Sequence, residues 1–466
     1  MTFSMGGIVD GWGASPERVA IWERRRTNAL IELAALRRVI TELPVSPQAR
    51  DAFLEGFHDL KRSPASIVRL VIGSPYGFAW LRRAFRMIDD LRRGTAAPAG
   101  SPPSAGPPLG INDHLSVFPI FAIGAQLASH DPGDSRTIAT VPLPSTIPGT
   151  ARHIRPSPSH HARISVCGGA LRVVHGQEIP LAQVLTPGSS IVVDNRDMVL
   201  GYCCDDRSVL ETSAATTEAF RVLFTDALGV LGSVVPGAES EAALIYRVVA
   251  PSLLGSPVSF PSSSNSTVLG MSSFSVPPHP EILAEMIVHE MSHNLLFTVQ
   301  DMDPLLDPAS HGEGWLPEAY YSPWRDDPRP LNGILHAVFV FSRVANFWLA
   351  LIGTVESRSL QDLAKRRLAA LSIQLPLAWK SLKAQAVFTD AGARFHAAIG
   401  SAIHGIVQAC ASLGLDLVQP SYTEVASLKD GTGSARERQR EHFAQFTQRY
   451  GHTLSQLDIE EALALS

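Results

Sequence analysis

An uninterrupted run of helix-forming residues, Glu281 to Phe297, carries two histidines four residues apart around a glutamate: His289-Glu290-Met291-Ser292-His293. The run holds no Gly or Pro, and Pro277, Pro278 and Pro280 stand just upstream, where they can open a helix without interrupting it. In a helix, residues i and i+4 lie one above the other on one face, so both imidazoles can reach a single ion. Glu290 then sits one step round, beside any oxygen that the ion holds. Ile282, Leu283, Met286 and Ile287 supply apolar flanks that bury such a helix. Two satisfied core histidines are the plainer alternative, but a pair of polar rings in an apolar helix is costly without a ligand or hydrogen bonds.

This HExxH arrangement is best known from zinc peptidases, and a third protein ligand decides its chemistry. A third histidine six residues after the second, with a glycine between, is excluded because Val299 and Leu296 occupy those positions. Glu313 stands 20 residues beyond His293, a spacing that suits a glutamate-type zinc peptidase. Gly312, Gly314, Pro308 and Pro317 around it favour a loop, which leaves Glu318 in Pro317-Glu318-Ala319-Tyr320-Tyr321 as an alternative. A further candidate is His336, in the almost wholly apolar run Leu331 to Trp348. Arg343 follows it by seven positions, two helical turns, hence on nearly the same face. A buried cation there needs an anion. A structural acid would serve, as would the far carboxylate of a dicarboxylate that chelates iron through its keto-acid end. Arg325 and Arg329, on the proline-fixed loop Tyr321 to Pro330, are further anion-binding candidates or parts of a polar surface loop.

Composition narrows the partners. A formal net charge of −5 gives no electrostatic footprint for nucleic acid. Arg24-Arg25-Arg26, Arg82-Arg83 and Arg92-Arg93 read as solvated helix faces, or as a docking patch for an acidic peptide. The four cysteines, Cys167, Cys203, Cys204 and Cys410, show no metal-finger spacing and are too few for a disulfide scaffold. Met1 to Arg26 lacks a charged start followed by an apolar stretch, and no run approaches the roughly 18 apolar residues of a membrane span. A soluble, cytoplasmic protein with no membrane partner is expected.

The expected fold class is α+β, predominantly helical. Helical spacing of Ile31, Leu33, Leu36 and Ile40, resumed from Ile67 to Leu91, predicts an N-terminal helical region over 1–93. A Pro/Gly/Ser-rich linker is expected over 94–110 and a β-rich segment over 111–210. Residues 211–466 form the expected helical, metal-binding catalytic domain. The β-rich segment draws on the β-branched runs Thr137 to Val141, Ala162 to Val166, Leu171 to Val174 and Ser190 to Val193. The Ser-rich stretch Ser259 to Pro278 is either a surface loop or an edge strand able to pair with an extended peptide.

His289-Glu290-Met291-Ser292-His293, followed by Ser322-Pro323-Trp324-Arg325-Asp326-Asp327-Pro328-Arg329-Pro330-Leu331-Asn332-Gly333-Ile334-Leu335-His336, resembles the HExxH-type 2-oxoglutarate-dependent peptide β-hydroxylases. That family is associated with ribosomally made, post-translationally modified peptides, and the resemblance covers about residues 265 to 350. It implies Fe(II) as metal, 2-oxoglutarate and O2 as cosubstrates, and β-hydroxylation of an Asp or His side chain in a precursor peptide. It also implies that His289, His293 and His336 bind iron, with Glu290 either supporting the ligands from behind or handling a proton, and not acting as a peptidase base. The cosubstrate arginine is not fixed by matching; Arg343 ranks first on helical geometry, before Arg329 and Arg325. The rival expectations are a zinc metallopeptidase completed by Glu313 or Glu318, and a non-catalytic peptide-binding protein with structural zinc.

Overall fold

Four Ser-Pro dipeptides punctuate the first ninety-odd residues, and each stands at the start of a helix, three of them with the serine side chain as cap. In the computed structural model, which describes residues 5–9, 11–94, 111–129, 138–141, 145–157, 160–167, 170–186, 189–194, 213–252, 260–307, 320–415 and 434–450, α1 (Met5–Val9) precedes α2 (Pro16–Val39), α3 (Pro47–Leu60), α4 (Ala65–Ile72) and α5 (Pro75–Arg93). The side chains of Ser15, Ser46 and Ser74 accept hydrogen bonds from the amides of Arg18, Ala49 and Gly77, while the following proline fills the first helical turn. Serine satisfies an amide that the helix cannot, and proline lacks one that would need satisfying. Gly94 ends α5 in the left-handed conformation at φ 64°, which a side chain would strain.

The segment from 111 begins differently from its expected β character. It forms α6 (Ile111–Ser116) and α7 (Pro119–Ser129), and α7 packs against α3 and α4. Pro119 to Ala125 is buried residue after residue. A continuous apolar run carries no period, so strand and helix cannot be told apart from it. The remaining linker expectation, 95–110, lies outside the described residues.

The β-branched runs do form strands: β1 (Ile138–Val141), β2 (Ser145–Thr146), β3 (Arg152–Pro156), β4 (Ala162–Cys167), β5 (Ala170–Val174), β6 (Gly176–Pro180), β7 (Ala182–Thr186) and β8 (Ser189–Val193). β1-β4-β5 and β2-β3-β6 make two small antiparallel sheets. The third sheet, ordered β10-β11-β9-β8-β7, adds β9 (Val248–Pro251), β10 (Ser262–Ser264) and β11 (Met271–Phe274) from beyond residue 211. Its parallel pairings β8·β9 and β9·β11 join the β-rich segment to the region expected to be catalytic. The two share one sheet and one continuous core.

Helices α8 (Ala214–Val234), α9 (Ala238–Ile245), α10 (Pro280–Gln300), α11 (Leu331–Ile352), α12 (Arg358–Gln385), α13 (Asp390–Ser412) and α14 (Ala435–Tyr450) complete the described chain. The architecture is α+β and predominantly helical. α10 lies between α8 and α11, with β10 and β11 across it, and α11 in turn packs on α12 and α13. By length and composition α11 could cross a bilayer, yet Phe339, Phe347 and Trp348 on it are fully enclosed by protein.

One enclosed histidine makes the fold acid-sensitive. His114 on α6 is 1% exposed and stacks on Trp80 at 4.9 Å, its Nε2–H donating to the Trp80 carbonyl at 2.9 Å. Burial pushes His114 down to about 3, against the opposing effect of that hydrogen bond. The unfolded chain takes up this proton below about pH 6.5 and the native chain does not, so stability falls as pH drops from there towards the folded value. His114→Gln should flatten the acid limb by up to about 1.4 kcal/mol per pH unit, read by urea unfolding at pH values between about 6 and 4.

Candidate metal centre

Pro280 opens α10, and from Ile282 onward every residue of the helix is buried except His289, His293, Phe297 and Gln300. Those four are spaced at four, four and three residues, hence on one face. An otherwise engulfed helix therefore keeps a single accessible stripe, and the stripe is the one carrying the histidines.

His336 on α11, 4% exposed, meets that stripe. The His289 and His293 rings touch edge to face at 4.9 Å between centroids, and His293 stacks on His336 at 5.3 Å. His293 Nδ1 lies 3.1 Å from His336 Nδ1. His336 Nε2 lies 2.7 Å from Gln300 Oε1, and Gln300 Nε2 donates to Asn332 Oδ1 at 2.6 Å. An amide oxygen only accepts, so against Gln300 Oε1 His336 carries its proton on Nε2, and its Nδ1 lone pair accepts from His293 Nδ1–H. Burial holds all three rings in the neutral form. It pushes His336 down to about 3, lowers His289 against the charge of Glu290, and depresses His293 well below the usual range with further help from its two neighbours.

The opposite side of the motif is pinned to the sheet. Glu290, 2% exposed, accepts a hydrogen bond from Ser262 Oγ on β10 at 2.6 Å. The Ser-rich stretch thus contributes an edge strand, among the described residues, directly beside the motif glutamate. Asn294 donates to the Glu290 carbonyl at 3.0 Å and to Ser272 Oγ at 3.1 Å, and accepts from the Gly270 amide at 2.8 Å. Tyr246 donates to the Ile287 carbonyl at 3.2 Å; its phenol is raised well above the ordinary value by burial first and by Glu290 second.

The loop Tyr321 to Pro330 forms the roof. Trp324 stacks on Phe341 at 4.7 Å, and Phe341 meets His289 edge-on at 5.1 Å. Tyr320 and Arg329 close the loop by paired backbone hydrogen bonds. Arg325 and Arg329 both pair with Asp327, at 3.0 and 3.2 Å. α14 clasps the loop from outside: Gln439 Nε2 donates to Tyr321 Oη at 2.6 Å, and His442 Nδ1 lies 2.9 Å from that oxygen.

Arg343 occupies a different setting from the one expected of a leading cosubstrate arginine. Its two terminal nitrogens donate to the two carboxylate oxygens of Glu241, at 2.8 and 2.9 Å, and Arg18 pairs with the same carboxylate. The Trp12 ring covers the Arg343 guanidinium at 4.0 Å, and Arg343 and Glu241 are 1% and 0% exposed. The anion that Arg343 meets in the structure is thus a structural acid, one of the two partners read for it from the sequence. Arg343 anchors α11, and of the three ranked arginines Arg325 and Arg329 stay accessible.

Sequence reasoning passed over Ser262, Asn294, Gln300, Phe341 and Trp324. Gln300 carried a usable signal, since it follows His293 by seven positions, two turns along the same face. Glu313 and Glu318 lie outside the described residues.

Among the described residues, no three His, Cys, Asp or Glu side chains are already arranged to hold one ion. The donor set nevertheless fits a divalent transition metal. It offers neutral imidazoles in consecutive contact, one of them with its second nitrogen held by an amide oxygen. His293 Nδ1 and His336 Nδ1 share a hydrogen bond at 3.1 Å, and two imidazoles on one ion at about 2.1 Å each stand roughly 3.0–3.4 Å apart, so a metal could take the place of that proton with little movement of the rings. No protein-family model matches the sequence, and the curated proteins contain no significant match to it.

Removing the Glu241 carboxylate should leave two buried arginines facing each other. Glu241→Ala is expected to cost about 3–5 kcal/mol of stability in urea unfolding, far beyond an ordinary surface substitution.

Proposed function

We propose that the chain is an Fe(II)- and 2-oxoglutarate-dependent oxygenase that hydroxylates the β-carbon of an Asp or His side chain in a ribosomally made precursor peptide. The observation that carries this reading is His336, which arrives from a second helix with its Nδ1 lone pair 3.1 Å from His293 Nδ1. A peptidase completed by glutamate does not need a third imidazole to complete its metal set. The resemblance over about residues 265 to 350 supplies the reaction and the peptide class.

His289, His293 and His336 would hold the iron, the two helices bringing the rings together and side-chain rotation completing the set. Iron with 2-oxoglutarate and O2 supplies the oxidant that takes hydrogen from the peptide side chain. The chain's own groups do the rest. Glu290, kept in place by Ser262, handles a proton on the sheet side of the motif. Trp324 and Phe341 keep water from the His289 side. Arg329 and Arg325 share Asp327, a carboxylate that the cosubstrate's own can replace in kind. The β10 edge beside Glu290 suits an extended peptide, pairing through its backbone. The cytoplasm, where precursor peptides are made, is the proposed location.

Anaerobic reconstitution tests this directly. One Fe(II) per chain and a visible metal-to-ligand absorption band on adding 2-oxoglutarate are expected, both lost in His336→Ala. Stoichiometric zinc that survives His336→Ala, with cleavage of test peptides, would instead establish a peptidase completed by Glu313 or Glu318. Zinc in a closed site without an exchangeable position would leave a non-catalytic peptide-binding protein.

A further inference from the structure

We infer that Gln300 is a positioning residue: its carboxamide fixes the Nε2–H tautomer of His336 and thereby aims the Nδ1 lone pair at His293. The inference rests on the metal-site reading for its purpose, but its geometry stands on hydrogen bonds alone. Gln300 ends α10, on the face that carries His289 and His293. Its Oε1 lies 2.7 Å from His336 Nε2, and its Nε2 is spent on Asn332 Oδ1 at 2.6 Å. Asn332 stands one turn before His336 on α11, so both helices contribute to the orientation of one amide. With Gln300 Oε1 facing His336 and Gln300 Nε2 facing Asn332 Oδ1, each contact pairs one donor with one acceptor when His336 is the Nε2–H tautomer.

The consequence for metal binding follows from the two ring nitrogens. A neutral imidazole has one lone pair, and the partner of the other nitrogen decides which side it faces. Without Gln300, the proton is free to sit on Nδ1, where it blocks the side facing His293. Phe297 packs on the His336 ring at 4.7 Å and limits its rotation, so a protein in the wrong tautomer cannot correct it cheaply by turning the ring over.

The test uses the full chain, metal-free, with 15N-labelled histidine rings, His336→Ala identifying the His336 resonances. Long-range 15N–1H correlation at neutral pH should show His336 as the Nε2–H tautomer in the wild type. Gln300→Leu should give a mixture or the Nδ1–H form, and Gln300→Glu, which keeps an acceptor, should restore the wild-type pattern. Titration with Co(II) alone should show one site in the wild type, weakened about 10–100-fold in Gln300→Leu and largely recovered in Gln300→Glu. An unchanged tautomer in Gln300→Leu overturns the inference, as does a changed tautomer with unchanged Co(II) affinity. A wild type that binds no Co(II) sinks the metal-site reading, while the tautomer measurement still decides what Gln300 does.

Discussion

One buried carboxylate sets where α11 can lie. Glu241 receives both terminal nitrogens of Arg343 and also pairs with Arg18, the Trp12 ring lying over the Arg343 guanidinium. Burial pulls Arg18 down to about 10, with Glu241 opposing the shift, so Arg18 stays charged at neutral pH. Such a cluster adds little net stability over an apolar equivalent, because desolvation offsets much of the attraction. Its geometry is restrictive all the same: a bidentate fork admits few rotations of the helix that bears it. Glu285 on α10 makes a second tie, accepting from Trp348 Nε1 at 2.9 Å and pairing with Arg367 on α12. Between these two ties, α10 and α11 have a fixed register, and with it the three histidines have a fixed meeting point.

That register explains why the histidine stripe is chemically distinct from the core around it. The helix faces that touch β10, β11 and α8 are closed by apolar contact and by the Asn294 and Tyr246 hydrogen bonds. On the remaining face the rings are buried deeply enough that desolvation disfavours their protonated form. Neutral imidazoles are the result, and they are the form in which a histidine binds a metal. The same enclosure under Trp324 and Phe341 would protect an oxidant from water.

Much of the motif was legible from one sequence, because its information is local. The HExxH spacing, the upstream prolines and the apolar flanks specify a buried helix with a histidine face, and α10 runs Pro280–Gln300. His336 stood out for the opposite reason, as a polar ring in an apolar run. The partner of Arg343 was invisible: Glu241 is 102 residues away, in an acidic stretch that reads as an ordinary helix start. Gln300 was missed because an amide signals no chemistry until its neighbours are known. The α6–α7 segment was misplaced because Pro119 to Ala125 is apolar without a period.

The Glu241 clamp also orders events during synthesis. Its members come from three well-separated stretches, with Arg18 and Glu241 separated by 223 positions and Glu241 and Arg343 by 102. A ribosome releases the chain from its first residue onward, so the arm bearing Trp12 and Arg18 waits through most of translation for its counterparts. The register of α11 against α10 is therefore completed only after both later stretches have left the ribosome.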